Sequence, residues 1–296
     1  MKITNKFGLP APLYALANKQ YYSKGDADYS VTEIISPPRI QRLRKKHDHE
    51  METDVTDLWW SIVGSALHVV MERSVVDNYK NEERLTTEIN GVRLSGAIDV
   101  QQIESDGITI MDYKFTSAWA LMNEKPEWSM QQNIYGRLVQ KVKGENVKGL
   151  KIIAVVRDWS RREAERKPTY PQAPLQMVDI PLWEESFTDQ FIERRIELHR
   201  DSKVSADWDD ELPPCTDEDR WMRDPKFAVK KEGRKTAVRV FDTMTEASEL
   251  LATLPAKDKG FIEIRKAEPV RCTQDYCGVS KWCSQYQSYL KEQENE

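Results

Sequence analysis

The spacing of apolar positions along the chain changes several times, and each change predicts a different element. Over residues 58–79 apolar residues recur three and four positions apart, which predicts a long amphipathic helix with His68 in its middle. The following runs, LTTEI and VRLSGAIDVQQI, predict a hairpin about the Asn90-Gly91 turn. A second turn at 105–107 leads into ITIMDYKF, which predicts another strand.

The chain after residue 115 again alternates between helical and strand patterns. We predict a helix over 129–142, a largely buried strand over 150–159 and a charged helix over about 184–200. From residue 212 the pattern predicts a hairpin about Glu232-Gly233, a helix capped by Thr243 or Thr245, and a strand. This order predicts an α/β fold with a mixed sheet flanked by helices over 1–210, and a small β-β-α-β appendage over 211–296.

Composition adds limits to this picture. Hydrophobic residues make up 39% and charged residues 31% of the 296 residues, which is typical of a soluble protein with a substantial core. No apolar run of about 18 residues and no secretion signal is visible, so we expect a cytoplasmic protein without a membrane partner. The net charge of −5 argues against indiscriminate nucleic-acid binding. Two basic stretches, each either a solvated face or a phosphate track, are Arg39, Arg42, Arg44, Lys45 and Lys46, and Arg157, Arg161, Arg162, Arg166 and Lys167.

The segment GAIDVQQIESDGITIMDYKF carries the candidate chemistry. Asp112 and Lys114 share a face of one strand because side chains alternate, whereas Tyr113 should point away, toward the core. Strand pairing across the second turn would bring Asp99 to the same place. Two neighbouring carboxylates repel unless a cation lies between them, and Mg²⁺ or Mn²⁺ would remove that conflict. The alternative is an ordinary surface ion pair on a hairpin.

Neighbouring motifs favour the metal site, and their order resembles the RecB-like branch of the PD-(D/E)xK nuclease superfamily. This branch includes AddB-type nucleases, CRISPR-associated adaptation nucleases and many phage exonucleases. The matching residues, in chain order, are Gly64, His68 and Glu72 on the helix, Gly96-Ala97-Ile98-Asp99, Asp112-Tyr113-Lys114, and Gln131 with Tyr135 on the next helix.

The resemblance implies a restriction-endonuclease-like core and a role for each matching residue. The metal ligands would be His68, Asp99, Asp112 and the carbonyl of Tyr113. Lys114 would help to activate the attacking water, and Gln131 and Tyr135 would steady the site or contact the DNA backbone. Glu88 is expected to be a supporting carboxylate, and Glu72 a partner for His68 or for a basic neighbour.

The four cysteines suggest a second centre. Cys272, Cys277 and Cys283 crowd near the C-terminus, and Cys215 lies upstream. Several RecB-like nucleases hold a four-cysteine iron–sulfur cluster, but there the fourth cysteine precedes the nuclease core, and here it follows. A [4Fe–4S] cluster, a Zn²⁺ site and unliganded thiols all stay open from the spacing, and the resemblance favours the cluster.

These features predict a Mg²⁺- or Mn²⁺-dependent deoxyribonuclease, in particular a phage exonuclease of recombination, repair or DNA processing, acting in the host cytoplasm. Its partner would be single-stranded DNA or duplex ends, with a helicase or recombinase supplying any ATPase activity, since no Walker motif occurs. The alternatives are a catalytically silent DNA- or partner-binding module and a CRISPR-type processing nuclease. Trp119 and Trp128 are the best candidates for strand contact, against the alternative that they pack in the core.

Overall fold

A computed structural model describes residues 1–17, 23–123, 125–204 and 211–294. Contacts divide the chain into two compact units, the first formed by 1–36 and 46–203, and the second by 37–45 and 204–296. The predicted boundary at residue 210 lies outside the described residues. No helix of the described chain is long and apolar enough to cross a membrane.

The first unit contains a mixed α/β arrangement, as predicted. Its strands are β1 (Lys2–Thr4), β2 (Tyr29–Ser30), β3 (Glu52–Asp54), β4 (Tyr79–Ile89), β5 (Val92–Glu104), β6 (Gly107–Thr116), β7 (Val147–Val156) and β8 (Leu175–Ile180). Its helices are α1 (Ala11–Ala17), α2 (Val31–Ile35), α4 (Trp59–Glu72), α5 (Ala118–Leu121), α6 (Pro126–Lys143), α7 (Arg161–Arg166) and α8 (Glu185–Val204), and α3 (Pro38–Lys46) belongs almost wholly to the second unit.

Six of these strands form one mixed sheet in the order β2-β5-β6-β7-β8, with β4 paired to β5. The neighbours β4–β5, β5–β6 and β7–β8 are antiparallel, whereas β6–β7 and β2–β5 are parallel. The predicted hairpin about Asn90-Gly91 is present as β4 and β5. The long helix was predicted to reach residue 79, but α4 ends at Glu72. The apolar Val75, which extended the pattern, is 94% exposed.

One face of the sheet carries the main core. Side chains of α2, α6 and α8 pack there against the strands, and the fully buried members include Ile34, Ile98, Ile134, Leu138 and Ile192. Local capping features explain where α2 begins and where α6 ends. Ser30 and Glu33 form a reciprocal capping box at the start of α2, and α6 ends at Gly144 in the left-handed conformation.

The second unit is a small assembly of strands and helices. The strands are β9 (Met222–Arg223), β10 (Lys226–Lys231), β11 (Arg239–Phe241), β12 (Gly260–Arg265) and β13 (Glu268–Pro269), and the helices are α9 (Met244–Thr253), α10 (Val270–Thr273) and α11 (Ser284–Glu294). Strand β10 lies between β11 and β12, and α9, capped by Thr243, falls between β11 and β12 in the chain.

Arg39 explains why α3 joins this second unit. Its guanidinium is buried and donates hydrogen bonds to the carbonyls of Leu212 and Pro213 and to the Ser284 hydroxyl. Both interpretations of the first basic stretch are therefore wrong for Arg39, because its charge is neither solvated nor open to a phosphate.

Candidate active site

The candidate site lies where β5 and β6 separate. Their ladder runs from Glu104↔Gly107 to Val100↔Met111, and Asp99 and Asp112 are the next residue on each strand. From there β6 continues beside β7 alone. Among the described residues, β5 pairs along this edge again only with β2, at Leu94 and Ser95. The Asp99 carboxylate lies in the opening, where it accepts a hydrogen bond of 2.8 Å from the Tyr113 backbone N–H.

A distortion of the β4–β5 hairpin turns a second carboxylate into the same opening. Glu82 and Asp99 form the one pair missing from an otherwise continuous ladder, between Asn81↔Val100 and Glu83↔Ile98. Glu82 has a φ of 51°, a left-handed conformation that is unusual for a residue other than glycine. Such a backbone conformation carries a free-energy cost and occurs often at functional sites.

His68 of α4 completes a three-ligand group with these two carboxylates. Its Nδ1 lies 3.4 Å from Asp99 Oδ2 and 3.7 Å from Glu82 Oε1. Ligand atoms of the three residues all lie within 4.8 Å of one another, so the group could hold a metal ion. The side chains of His68 and Glu82 are 35% and 29% exposed and that of Asp99 is 9% exposed, so an ion could enter from solvent.

His68 carries the positive charge between the two carboxylates of this group. Hydrogen bonds to Asp99 and Glu82 raise the pKa of His68 to about 10, against the opposing effect of burial. The imidazole is therefore protonated near neutral pH and acts as the cation between two carboxylates. A divalent cation would take the place of that proton, because histidine binds metals in its neutral form.

Asp112 and Lys114 belong to an adjoining network that also includes α6. Lys114 Nζ lies 2.5 Å from Asp112 Oδ2 and donates to Gln131 Oε1 at 2.9 Å. Gln131 Nε2 in turn lies 3.1 Å from Asp112 Oδ1 and 2.9 Å from the Tyr135 hydroxyl. The glutamine amide therefore fixes both charged groups of the D-x-K motif. The prediction that residues 112 and 114 share a face is confirmed.

Asp112 is buried, and burial raises its pKa above the usual range while the neighbouring Lys114 opposes that shift. The charge of Asp99 also raises the pKa of Asp112, and the charge of Asp112 raises that of His68. The three-ligand group and the Asp112–Lys114 network therefore form one electrostatic unit.

One of the two motif glycines has a clear packing reason. A Cβ atom at Gly96 would lie 2.7 Å from Leu138 Cδ1 and 2.8 Å from Tyr135 Cε1, so only glycine lets α6 approach β5 here. A Cβ atom at Gly64 would lie 3.7 Å from Phe115 Cβ, which places α4 against β6. The close approach at Gly96 brings Tyr135 of α6 next to the strand that carries Asp99.

The structure brings together His68, Asp99, Asp112, Tyr113, Lys114, Gln131 and Tyr135. Tyr113 does not point into the core as predicted, because its ring lies edge-on to His68 with 5.9 Å between the centroids. Of the two partners predicted for Glu72, His68 is wrong, because the described carboxylate partners of His68 are Glu82 and Asp99.

Sequence reasoning missed Glu82 and named Glu88 instead. Glu88 pairs with Arg93 beside the turn and is exposed. The register of the predicted hairpin could have identified Glu82, because a hairpin centred on Asn90-Gly91 places Glu82 opposite Asp99.

The four cysteines line one cavity of the second unit, and none forms a disulfide. Burial raises the pKa of Cys215 to about 12 and that of Cys272 to about 11. Gln285 fixes Cys215 by accepting from its N–H and donating to its carbonyl, both at 2.9 Å. Among the described residues, no three of these sulfur atoms lie within 4.8 Å of one another.

Comparison with known proteins assigns no family. No protein-family profile matches the sequence, and no curated protein matches it. Among solved structures, the crystal structure of SSO0001 is 16% identical with a TM-score of 0.40, over 63% of this chain and 82% of the other. A structure named "Putative exonuclease" from Eubacterium rectale is 11% identical with a TM-score of 0.27, over 80% of this chain and 82% of the other.

Proposed function

We propose that the chain is a metal-dependent deoxyribonuclease of the RecB-like PD-(D/E)xK type, with a restriction-endonuclease-like core. The observation that supports this most is the convergence of His68, Glu82 and Asp99 beside the Asp112–Lys114 pair. Three potential ligands next to a positioned ammonium group suit the hydrolysis of a phosphodiester, in which negative charge develops on phosphate oxygens.

The residues fit a divalent cation. One imidazole nitrogen and two carboxylates are offered at mutual distances that one ion could bridge. Carboxylates suit both Mg²⁺ and Mn²⁺, and of these two Mn²⁺, a first-row transition metal, accepts an imidazole ligand more readily. Asp112 and the Tyr113 carbonyl are the further ligands that the motif resemblance implies. When bound, the ion would acidify a water and neutralise charge on the phosphate.

The chain's own groups would then position and stabilise the reacting atoms. Lys114 lies beside Asp112 and can donate a hydrogen bond to a phosphate oxygen or to the attacking water. Gln131 holds Lys114 and Asp112 in a fixed relation and is itself held by Tyr135. Buried, hydrogen-bonded side chains lose little freedom during the reaction, which favours transition-state stabilisation.

A cleavage assay tests this proposal. Linear duplex, circular duplex and single-stranded DNA are incubated with Mn²⁺, Mg²⁺ or EDTA. We expect cleavage with the cations and none with EDTA, and resistance of circular duplex would identify an exonuclease. Glu82→Gln should lower the rate at least about 100-fold, whereas Glu88→Gln, a matched change on the exposed part of the same strand, should leave it unchanged. Cleavage in EDTA, or equal rates for the two variants, would refute the proposed site. Absence of cleavage of every substrate with either cation would favour a silent binding module.

For the cysteine cavity we propose a structural [4Fe–4S] cluster. All four cysteines line a common cavity, and four thiolates are the ligand set that such a cluster takes. The motif resemblance favours the cluster over Zn²⁺, which the same four ligands could also hold. When bound, the cluster would join α10 and the following turns to Cys215.

Metal analysis tests the cluster. Anaerobically purified protein should contain iron and acid-labile sulfide, show broad visible absorbance, and lose both in Cys272→Ser. Stoichiometric zinc would favour the alternative, and protein without either metal would show that the thiols are unliganded.

A further inference from the structure

Two exposed tryptophans paired with cations lie immediately beyond the catalytic strand. Trp60, at the start of α4, is 50% exposed, and its ring centroid lies 6.0 Å from that of Phe115. Trp119, on α5, is 56% exposed. Phe115 lies on the same face of β6 as Tyr113, whose ring lies edge-on to His68, so this surface adjoins the proposed metal site.

Each tryptophan ring has a basic side chain over its face. The Arg157 guanidinium lies 5.2 Å from the Trp60 ring centroid, and Lys125 Nζ lies 4.6 Å from that of Trp119. Arg157 is fixed to the end of β6, because its N–H donates to the Thr116 carbonyl at 2.9 Å. An aromatic face and a cation presented together can bind a base and its neighbouring phosphate.

A small core beneath the surface holds these groups in place. It consists of Ala118, Val156 and Tyr170, with Leu121, Trp159 and Ala164 packed against them. It joins α5, which carries Trp119, to α7, which carries Arg161 and Arg162. Both arginines are exposed, and neither forms an ion pair with any residue that the structure describes. Their charges are therefore available to a ligand.

We propose that this surface, defined by Trp60, Trp119, Lys125, Arg157, Arg161 and Arg162, binds an unpaired nucleic-acid strand next to the scissile phosphate. A duplex hides all but its terminal base faces by stacking, so a surface with two exposed tryptophan rings suits unpaired bases better than duplex. The four cations match a phosphate backbone in charge. This inference rests on the proposed nuclease function and specifies its substrate as a single-stranded segment or end.

Fluorescence anisotropy with a short labelled oligothymidylate in EDTA tests binding without cleavage. Trp60→Leu and Trp119→Leu should each weaken binding about tenfold, and an unlabelled blunt duplex should compete poorly. The matched control is Phe187→Leu, because Phe187 is a 53% exposed aromatic residue of the same unit that packs on Trp183 and has no cation partner among the described residues. The control should bind like wild type.

Salt dependence separates stacking from charge. The double variant Arg161→Gln, Arg162→Gln should reduce the slope of log affinity against log salt by ~0.7 for each phosphate that the protein no longer neutralises, whereas the tryptophan variants should keep the wild-type slope. Wild-type affinity in both tryptophan variants, absence of oligonucleotide binding by wild type, or equal competition by duplex would overturn the proposal.

A small phosphodiester, bis(p-nitrophenyl) phosphate with Mn²⁺, makes the two proposals distinguishable. It reaches the metal site without the tryptophan surface, so both tryptophan variants should hydrolyse it at the wild-type rate. Normal hydrolysis together with unchanged oligonucleotide binding in the variants would refute the strand-binding surface and support the nuclease proposal. If wild type hydrolyses neither DNA nor bis(p-nitrophenyl) phosphate, and the variants lose oligonucleotide binding, the nuclease proposal would be refuted and the strand-binding surface supported.

Discussion

The contact between Gly96 and α6 links the packing of the core to the geometry of the site. A Cβ atom at residue 96 would lie 2.7 Å from Leu138 Cδ1 and 2.8 and 2.9 Å from two carbons of the Tyr135 ring. Leu138 and Tyr135 are both buried in the main core. Gly96→Ala must therefore displace side chains that have little room to move.

The expected magnitude follows from these distances. Overpacking a tight core by one methyl group costs about 1–3 kcal/mol in the free energy of unfolding. Gly136 on α6 is a matched control, because its added Cβ would lie 3.6 Å from Leu150 Cδ2 and 3.7 Å from Val147 Cγ1, which are ordinary contacts. Gly136→Ala should increase stability by about 0.5–1 kcal/mol, since glycine is a poor residue inside a helix.

Urea denaturation followed by circular dichroism measures both changes. The Tyr135 hydroxyl is bonded to Gln131, so a displaced ring should also disturb Asp112 and Lys114. We expect DNA cleavage by folded Gly96→Ala to fall about 10- to 100-fold, while Gly136→Ala keeps the wild-type rate. Equal stabilities of the two variants, or a fully active Gly96→Ala, would refute this reasoning.

Three further predictions concern charge. Burial raises the pKa of Glu83, but hydrogen bonds from lysine and glutamine side chains, including Lys143, outweigh burial and lower the pKa to about 2 from its usual value of 4.5. The ionised Glu83 therefore stabilises the fold above pH about 4.5, and this contribution is lost as pH falls toward 2. The stability deficit of Lys143→Met in urea should shrink on acidification, and a deficit that does not change with pH would contradict this prediction. Lys114→Met should bind Mn²⁺ normally but cleave DNA at least about 100-fold more slowly, and unchanged cleavage would remove Lys114 from the mechanism. Because the pKa of His68 is about 10, calorimetry in buffers of different ionisation enthalpy should detect proton release on Mn²⁺ binding near pH 7.5, whereas binding without proton release would exclude His68 as a ligand.

Local patterns predicted much of the sheet and of the site. Alternation placed Asp112 and Lys114 on one face, and the Asn90-Gly91 turn identified the β4–β5 hairpin, because turn chemistry and strand period act over a few residues. The i, i+4 spacing of Gln131 and Tyr135 likewise places both on the buried face of α6.

Features that depend on distant contacts were not predictable in this way. The hairpin register places Glu82 opposite Asp99, but the left-handed φ of Glu82 and the distortion of the ladder there leave no signature in a pattern of alternating residues. Arg39 looked like part of a charged surface, but its partners lie more than 170 positions away in the chain. Val75 extended the helical pattern beyond Glu72 although it packs against no core.

Pulsed electron paramagnetic resonance of the Mn²⁺-loaded protein tests the metal site most directly, because a bound imidazole couples its nitrogen nucleus to the unpaired electrons. We predict a nitrogen signal in wild type that disappears in His68→Gln and persists in His49→Gln, a control at a side chain that is 78% exposed. Absence of Mn²⁺ binding by wild type, or a nitrogen signal that survives in His68→Gln, would contradict the assignment of His68, Glu82 and Asp99 as the metal site.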